Sequence, residues 1–167
     1  MPNAFKVYTV SSYSNLHAVR LFQRELLALV PHVEVLDWTH LAPSTKLSMQ
    51  ERKRRVTCGQ DCLVPGKCAN FCHTADLLVY YGDSGKDTAL QVGMALAIGT
   101  PVLGIPGPLE DVGLMLQHTV SAWVDNPQEA IDIIASVTNC HQGGDPRWPL
   151  CTMCHAERVC RLAGKKI

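Results

Sequence analysis

The sequence predicts an α/β protein, a three-layer sandwich with a five-stranded parallel sheet at its centre. Apolar stretches of strand length alternate with stretches whose apolar residues recur at helical spacing. The stretch from Pro101 to Ile105 is unbroken in its apolar character, as in a central parallel strand covered by helices on both faces. A length of 167 residues suffices for one domain with a substantial core. The net charge is zero, so the composition does not indicate binding of a nucleic-acid polymer.

The first 38 residues predict a strand, a helix and a second strand. Phe5 to Val10 is an apolar run, and Asn15 stands where it can cap the helix that follows. Pro31 ends that helix, and Val33 to Trp38 alternates as the second strand. The apolar stripe of the helix consists of Leu16, Val19, Leu21, Phe22, Leu26, Leu27 and Val30.

The segment from 40 to 75 predicts a helix that starts near Pro43 and continues through the basic run 51–55. We interpret this run as a solvated helix face, with a role in anion binding as the alternative. Two short cysteine-bearing stretches follow, separated by Pro65-Gly66. The remaining elements are strands at 76–81, 101–105 and 120–124 and helices at 87–98, 110–117 and 127–137, the last of them capped by Asn126.

The loop after the third strand is the candidate ligand site, because ligands of α/β sheets bind at strand-to-helix loops. Its glycines, Gly82 and Gly85, let the backbone approach a ligand, and the following helix N-terminus favours an anionic group. Asp83 and Asp87 can bind sugar hydroxyls or transfer protons, and Ser84 can contact a hydroxyl or a phosphate. The alternatives are an ordinary tight turn and a capping role for Asp87.

Three segments resemble the nucleoside 2-deoxyribosyltransferase superfamily, which includes the 2′-deoxynucleoside 5′-phosphate N-hydrolases. Lys6 to Ser14 looks like its first strand and ligand loop, and Asp37-Trp38-Thr39 looks like the end of its second strand. Gln91-Val92-Gly93-Met94-Ala95 is similar to its Glu-x-Gly-x-Ala helix motif. The resemblance implies a flavodoxin-like (Rossmann-like) fold with strand order 2-1-3-4-5, a nucleoside or nucleotide as ligand, and a homo-oligomer.

The resemblance also implies roles for particular residues. The glutamate of the motif is the nucleophile of the superfamily, and Gln91 stands in its place; an amide is a far weaker nucleophile. An aspartate equivalent to Asp76 can serve the leaving base, although a structural role is our preferred interpretation here. By resemblance, contacts to sugar or phosphate fall to Tyr8, Ser11, Ser12 and Tyr13.

Gln91 leaves several functions open. The protein can have lost glycosidase activity and kept ligand binding, or water can displace the base directly with Asp83 or Asp87 as general base. Gln91 can also be an engineered change, or a residue that only completes a hydrogen-bond pattern. The rival to a transferase or hydrolase is a non-catalytic, metal- or redox-dependent sensor or adaptor. A metal- or cluster-dependent enzyme of unrelated chemistry is a third hypothesis.

Eight cysteines suggest a zinc or iron–sulfur site, because disulfides are disfavoured in the cytoplasm. Cytoplasmic location is our expectation, since we see neither a signal-peptide layout nor an apolar stretch long enough to span a membrane. The alternatives are plain core cysteines, a c-type haem pattern at 151–155, and one site formed by all eight. The two sets of four are Cys58, Cys62, Cys68 and Cys72, and Cys140, Cys151, Cys154 and Cys160.

The domain organisation follows from these cysteines. We expect a domain of the deoxyribosyltransferase type over residues 1–138, with a Cys-rich insertion at 57–73. Residues 139–167 differ in composition and form a Cys-rich C-terminal tail, which we expect to bind metal.

Overall fold

The fold is a five-stranded parallel sheet with the strand order that the resemblance implies, β2-β1-β3-β4-β5. The computed structural model describes residues 4–41, 48, 50, 51, 54, 63–83 and 85–142, with the side chains of 63, 64 and 139–142 excepted. The α/β class and the parallel pairing are thereby confirmed. The strands are β1 (Phe5–Val10), β2 (Val33–Val35), β3 (Leu77–Tyr81), β4 (Val102–Ile105) and β5 (Ala122–Trp123).

Helices cover both faces of the sheet and produce two hydrophobic cores. Odd-numbered residues of β1, such as Phe5 and Val7, pack with the first and last helices of the domain, whereas Tyr8 and Val10 pack with the other three. This alternation follows from the two-residue period of a strand. The helices are α1 (Leu16–Leu29), preceded by a 3-10 turn (Tyr13–Asn15), α2 (Leu63–Thr74), α3 (Lys86–Ala97), α4 (Leu114–Thr119) and α5 (Pro127–Gln142).

The largest correction concerns α2. Residues 63 to 74, expected to belong to a Cys-rich insertion broken at Pro65-Gly66, form one continuous helix. Pro65 lies in the first turn, where a missing N–H group costs no helical hydrogen bond. Cys72 and Cys68 of this helix pack into the core around Tyr8. The helix is therefore the crossover between β2 and β3 and an integral layer of the sandwich.

Several predicted boundaries and contacts shift. The second strand ends at Val35 instead of Trp38, and α4 begins at Leu114, four residues beyond its predicted start. Leu21 and Leu27 of the predicted apolar stripe of α1 are about half exposed. Asn15 precedes α1 as expected but forms no capping hydrogen bond, because its side-chain amide donates to Ser11 Oγ.

The last helix begins where the sequence predicts but ends later than predicted. Asn126 caps it as predicted, since its Oδ1 accepts a hydrogen bond from the backbone N–H of Glu129 at 2.9 Å. The helix continues to Gln142, past the predicted end near Val137 and past the start of the predicted tail. The predicted helix from Pro43 and residues 143–167 lie almost wholly outside the described residues. None of the described helices is long and apolar enough to cross a bilayer.

Gly104 of β4 supports a first prediction. A Cβ atom added there would lie 2.4 Å from a ring carbon of Trp123, whose ring packs edge-on against Tyr80. We expect Gly104→Ala to lower the free energy of unfolding by about 1–3 kcal/mol, because the ring has to move within a packed layer. Urea unfolding followed by circular dichroism measures this change.

Gly93 provides the matched control for that variant. It lies within α3, and a Cβ atom added there meets nothing within 4 Å. Gly93→Ala is expected to raise the free energy of unfolding by about 0.5–1 kcal/mol, because alanine has the higher helix propensity. Equal destabilisation by the two substitutions would contradict the packing explanation for Gly104.

Candidate functional site

A cavity of about 280 Å³ opens at the carboxyl ends of the strands, between β1, α2 and α3. Parallel strands end at the same sheet edge, so the loops that follow β1 and β3 meet there. This is the location that the sequence predicts for the ligand site. The lining residues are Tyr8, Val10, Ser11, Ser12, Tyr13, Trp38, Pro65, Cys68, Ala69, Gly85, Lys86, Asp87, Thr88, Leu90, Gln91 and Met94.

Gln91 lies in the wall of this cavity with both ends of its amide hydrogen-bonded. Tyr8 donates its hydroxyl to Gln91 Oε1 at 2.5 Å, and Gln91 Nε2 donates to the backbone carbonyl of Asp87 at 3.2 Å. The second bond is local to α3, since the two residues are four apart. The amide is thus held in one orientation, with its oxygen directed at a phenol.

Tyr8 is a buried phenol that stays protonated. Burial raises its pKa far above the ordinary value, and the neighbouring thiols of Cys68 and Cys72 raise it further. Its ring packs against Phe71 of α2 with centroids 5.3 Å apart. Because the hydroxyl keeps its proton, it acts as a hydrogen-bond donor to the side chain at position 91 across the usual pH range.

The two predicted acidic residues occupy different places. Asp87 lines the cavity in the first turn of α3, where the N-cap position belongs to Gly85 and not to Asp87. Asp83 is exposed and is not among the lining residues; a Cβ atom added to Gly107 would lie 2.4 Å from its Oδ1. Asp83 therefore lies towards the loop after β4. The structure does not bring Asp83 and Asp87 together in one site.

Gly82 explains this divergence. Its φ of 70° lies in the left-handed region that favours glycine, and its N–H donates to Ile105 at the end of β4. A Cβ atom there would meet Asn15 Nδ2 at 2.6 Å. Gly82 therefore shapes the end of β3 instead of lining the cavity. Ser84 lies outside the described residues.

The loop after β1 supplies the predicted hydroxyl groups. Ser11, Ser12 and Tyr13 all line the cavity. The hydroxyl of Ser11 donates to the backbone carbonyl of Tyr81 and accepts from Asn15, so it joins the loops of β1 and β3. Ser12 is hydrogen-bonded to Ser14 at 2.8 Å and is partly exposed. Ser11 has the better-defined structural role, and Ser12 is the freer of the two to meet a ligand.

Trp38 forms an aromatic wall that the sequence resemblance placed at a strand end without a role. Its indole N–H donates to the carbonyl of Thr9 at 2.6 Å, and its ring meets Tyr13 edge-on at 5.4 Å. The predicted strand order places β2 beside β1, which is the signal that could have assigned Trp38 to the site. The sequence also did not assign to the ligand site the lining residues Pro65, Cys68 and Ala69 of α2, or Leu90 and Met94 of α3.

Asp76 has a structural role, as we preferred. Its Oδ2 accepts from the backbone N–H of Lys6 at 2.8 Å, and its own N–H donates to the carbonyl of Lys6 at 2.8 Å. It precedes β3 and so lies at the amino edge of the sheet, opposite the cavity. No role with a leaving base fits this position.

Of the eight predicted metal ligands, the structure describes the side chains of two, Cys68 and Cys72. Within the described ranges, no three His, Cys, Asp or Glu side chains come together in a metal-binding group. Cys68 and Cys72 are free thiols on α2, the first half-buried and the second fully buried. The other six predicted ligands, Cys58, Cys62, Cys140, Cys151, Cys154 and Cys160, lie outside the described side chains.

Cys68 and Cys72 are expected to react differently with a thiol reagent. Burial, together with the neighbouring thiol of Cys68, raises the pKa of Cys72 to about 11, so Cys72 stays protonated at pH 8. We expect iodoacetamide at pH 8 to modify Cys68, which lines the cavity, much faster than Cys72. Peptide mass spectrometry resolves the two sites. Comparable rates at the two thiols would mean that α2 opens from the sheet.

Comparisons with known proteins complete the description of the site. No protein-family model matches the sequence, and no curated protein matches it either. Among solved structures, the chain is similar to a 2-deoxyribosyltransferase from Bacillus psychrosaccharolyticus, with 19% identity and a TM-score of 0.47, over 75% of this chain and 90% of that one.

Two further structures are similar to this chain. One is a CMP N-glycosidase from Clostridium botulinum, with 13% identity and a TM-score of 0.45 over 77% of this chain and 96% of that one. The other is a conserved protein from Enterococcus faecalis V583, with 13% identity, a TM-score of 0.49 and the same coverage of 77% and 96%.

Proposed function

We propose that the protein binds a nucleoside or nucleotide in the cavity between β1, α2 and α3, as a protein of the deoxyribosyltransferase type. The observation that supports this most directly is the position of Gln91. It occupies the place of the nucleophile in the motif Gln91–Ala95 and lies in the cavity wall against Tyr8. Such a site would bind a nucleoside without the negative charge that a glutamate at position 91 would supply.

The rest of the cavity suits such a ligand. Tyr13 and Trp38 offer aromatic surface for a base, and the N-terminus of α3 offers backbone N–H groups for a 5′-phosphate. Gly85, the N-cap residue, has no side chain that could cap these N–H groups, and Lys86 adds a positive charge. A base at the aromatic wall and a phosphate at the helix end would place the sugar near Gln91.

Cleavage or transfer at the N-glycosidic bond would have to proceed without a covalent intermediate on Gln91. An amide lacks both the nucleophilic oxygen and the negative charge that stabilise an oxocarbenium-like sugar. Asp87 is the carboxylate among the described lining residues, so it is our candidate for holding a sugar hydroxyl or activating water. Any turnover should therefore be slow.

Calorimetry tests the binding proposal. Nucleosides, 2′-deoxynucleosides and their 5′-monophosphates are titrated into the protein, and base release is followed by chromatography. We expect binding of at least one of these classes. Asp87→Asn should weaken it by about tenfold, since a hydrogen bond to a charged group contributes about 1.5–3 kcal/mol.

Asp83→Asn is the matched control. It makes the same chemical change four residues earlier in the chain, at a residue that does not line the cavity. It should leave the affinity nearly unchanged. An absence of binding across the whole panel, or an equal loss from both substitutions, would refute the proposed site.

A non-catalytic nucleotide sensor is the second candidate, and one observation favours it. Both ends of the Gln91 amide are already hydrogen-bonded to the protein, by Tyr8 and by the carbonyl of Asp87. A side chain held in this way suits a fixed wall of a binding pocket. This candidate requires ligand binding with no base release. A zinc or iron–sulfur centre in the cysteine segments would then serve as its metal or redox element.

Self-association and metal content belong to the same proposal. We expect a homo-oligomer, as the resemblance implies, and zinc or an iron–sulfur cluster bound by the two cysteine sets. Sedimentation and metal analysis of protein purified without oxygen measure both. An absorption spectrum distinguishes colourless zinc from a brown cluster.

A further inference from the structure

A second, open cavity of about 300 Å³ lies at the outer edge of the sheet, between α1 and the segment after β2. None of its lining residues lines the first cavity. We call it the outer groove. Its residues are Arg20, Gln23, Arg24, Leu27, Val35, Asp37, Thr39 and His40.

Gln23 is the unusual residue of the outer groove. It is only 5% exposed, and its Nε2 atom has no hydrogen-bond partner among the described residues. Leaving a donor buried and unpaired is unfavourable, and leucine at this position of α1 would avoid it. The buried amide at the groove surface therefore points to an acceptor that the described residues do not supply.

The charges of the groove specify that acceptor. Arg20 and Arg24 lie four residues apart on α1, one turn from each other, and neither pairs with a carboxylate in the part of the chain that the structure describes. The carboxylate of the groove, Asp37, is already engaged with His40 at 2.9 Å and with the N–H of Thr39 at 2.7 Å. The groove thus has an excess of donors and of positive charge.

Arg20 is held ready for a ligand by the opposite wall. Its Nε donates to Thr39 Oγ1 and its Nη2 to the Thr39 carbonyl, both at 3.2 Å. These bonds fix the guanidinium plane, and its remaining N–H groups have no acceptor among the described residues. A guanidinium fixed in this way binds an oxyanion with little loss of side-chain entropy.

We propose that the outer groove is a binding site for a small anion, a phosphate or carboxylate group, held by Arg20, Arg24 and Gln23. Residues 37–40 form a wall shared with the first cavity, since Trp38 lines that cavity while its neighbours line the groove. The anion site is independent of the proposed nucleotide function and stands if that function fails.

Titration calorimetry with inorganic phosphate and with citrate tests the site and distinguishes the two anion classes. We expect one of them to bind at the groove. Arg24→Gln should weaken that binding by about tenfold or more. Lys67→Gln, which removes an exposed positive charge of α2 at a residue that lines neither cavity, should leave it nearly unchanged.

Gln23→Leu separates a ligand contact from an imperfect core. It should weaken anion binding and raise the melting temperature of the free protein, because it removes the unpaired donor. Higher thermal stability with unchanged anion affinity would overturn the proposal and leave Gln23 as a poorly satisfied core residue. Loss of anion binding in Lys86→Gln but not in Arg24→Gln would also overturn it, by assigning the anion to the first cavity.

Discussion

Substituting glutamate for Gln91 is expected to produce or increase base release from a bound nucleoside or nucleotide, by about 10²-fold or more. The new carboxylate would take the place of the amide against Tyr8, whose protonated hydroxyl is already aimed at this position. A carboxylate there supplies both a nucleophile and negative charge near the sugar. Chromatography of the free base over time, with each ligand that binds, measures the effect.

The controls for Gln91→Glu separate chemistry from binding. Gln91→Leu keeps the side-chain size but provides no carboxylate, so it should give no base release. The double variant Gln91→Glu with Tyr8→Phe should release base more slowly than Gln91→Glu alone, because the carboxylate loses its hydrogen-bond donor. If Gln91→Glu binds the ligand as the parent protein does and still releases no base, the sensor candidate is the better account.

The sheet was predictable because its determinants are local and repetitive. Continuous apolar runs such as 77–81 and 101–105 indicate buried parallel strands, and the resemblance supplied the strand order. What the sequence left open was the path between β2 and β3. A proline and a glycine ordinarily interrupt a helix, but Pro65 falls in the first turn of α2, where it is tolerated. The packing of α2 on the sheet determines where the helix begins, and therefore that Pro65 falls in its first turn.

The sequence predicted the residues that the strand ends and the start of α3 bring to the site, but not the separation of its two aspartates. Tyr8, Ser11 and Gln91 meet because strand ends and helix starts converge at one sheet edge. Asp83 and Asp87 are close in sequence, yet the left-handed turn at Gly82 sends Asp83 towards Gly107. Such a divergence depends on one backbone torsion and on a contact with a distant loop, and no local pattern encodes it.

Trp38 connects the stability of the sheet edge with the ligand site. It is 5% exposed, packs in the core around Tyr8 and lines the cavity. We expect Trp38→Ala to lower the free energy of unfolding by about 3–5 kcal/mol, the usual cost of truncating a buried aromatic residue. Ligand affinity should fall with it, because the aromatic wall beside Tyr13 is lost. Urea unfolding and calorimetry at low temperature, where the variant stays folded, give both quantities.

Trp38→Phe distinguishes the ring from its N–H group. Phenylalanine keeps an aromatic surface but leaves the Thr9 carbonyl without the indole donor, which should lower the free energy of unfolding by about 1–3 kcal/mol. Affinity should fall less than in Trp38→Ala, since the ring remains to meet a base. If both variants lose affinity equally, Trp38 acts by fixing the end of β1 through Thr9, and the base must bind elsewhere in the cavity. If Trp38→Ala loses stability and keeps its affinity, the aromatic wall has no part in binding.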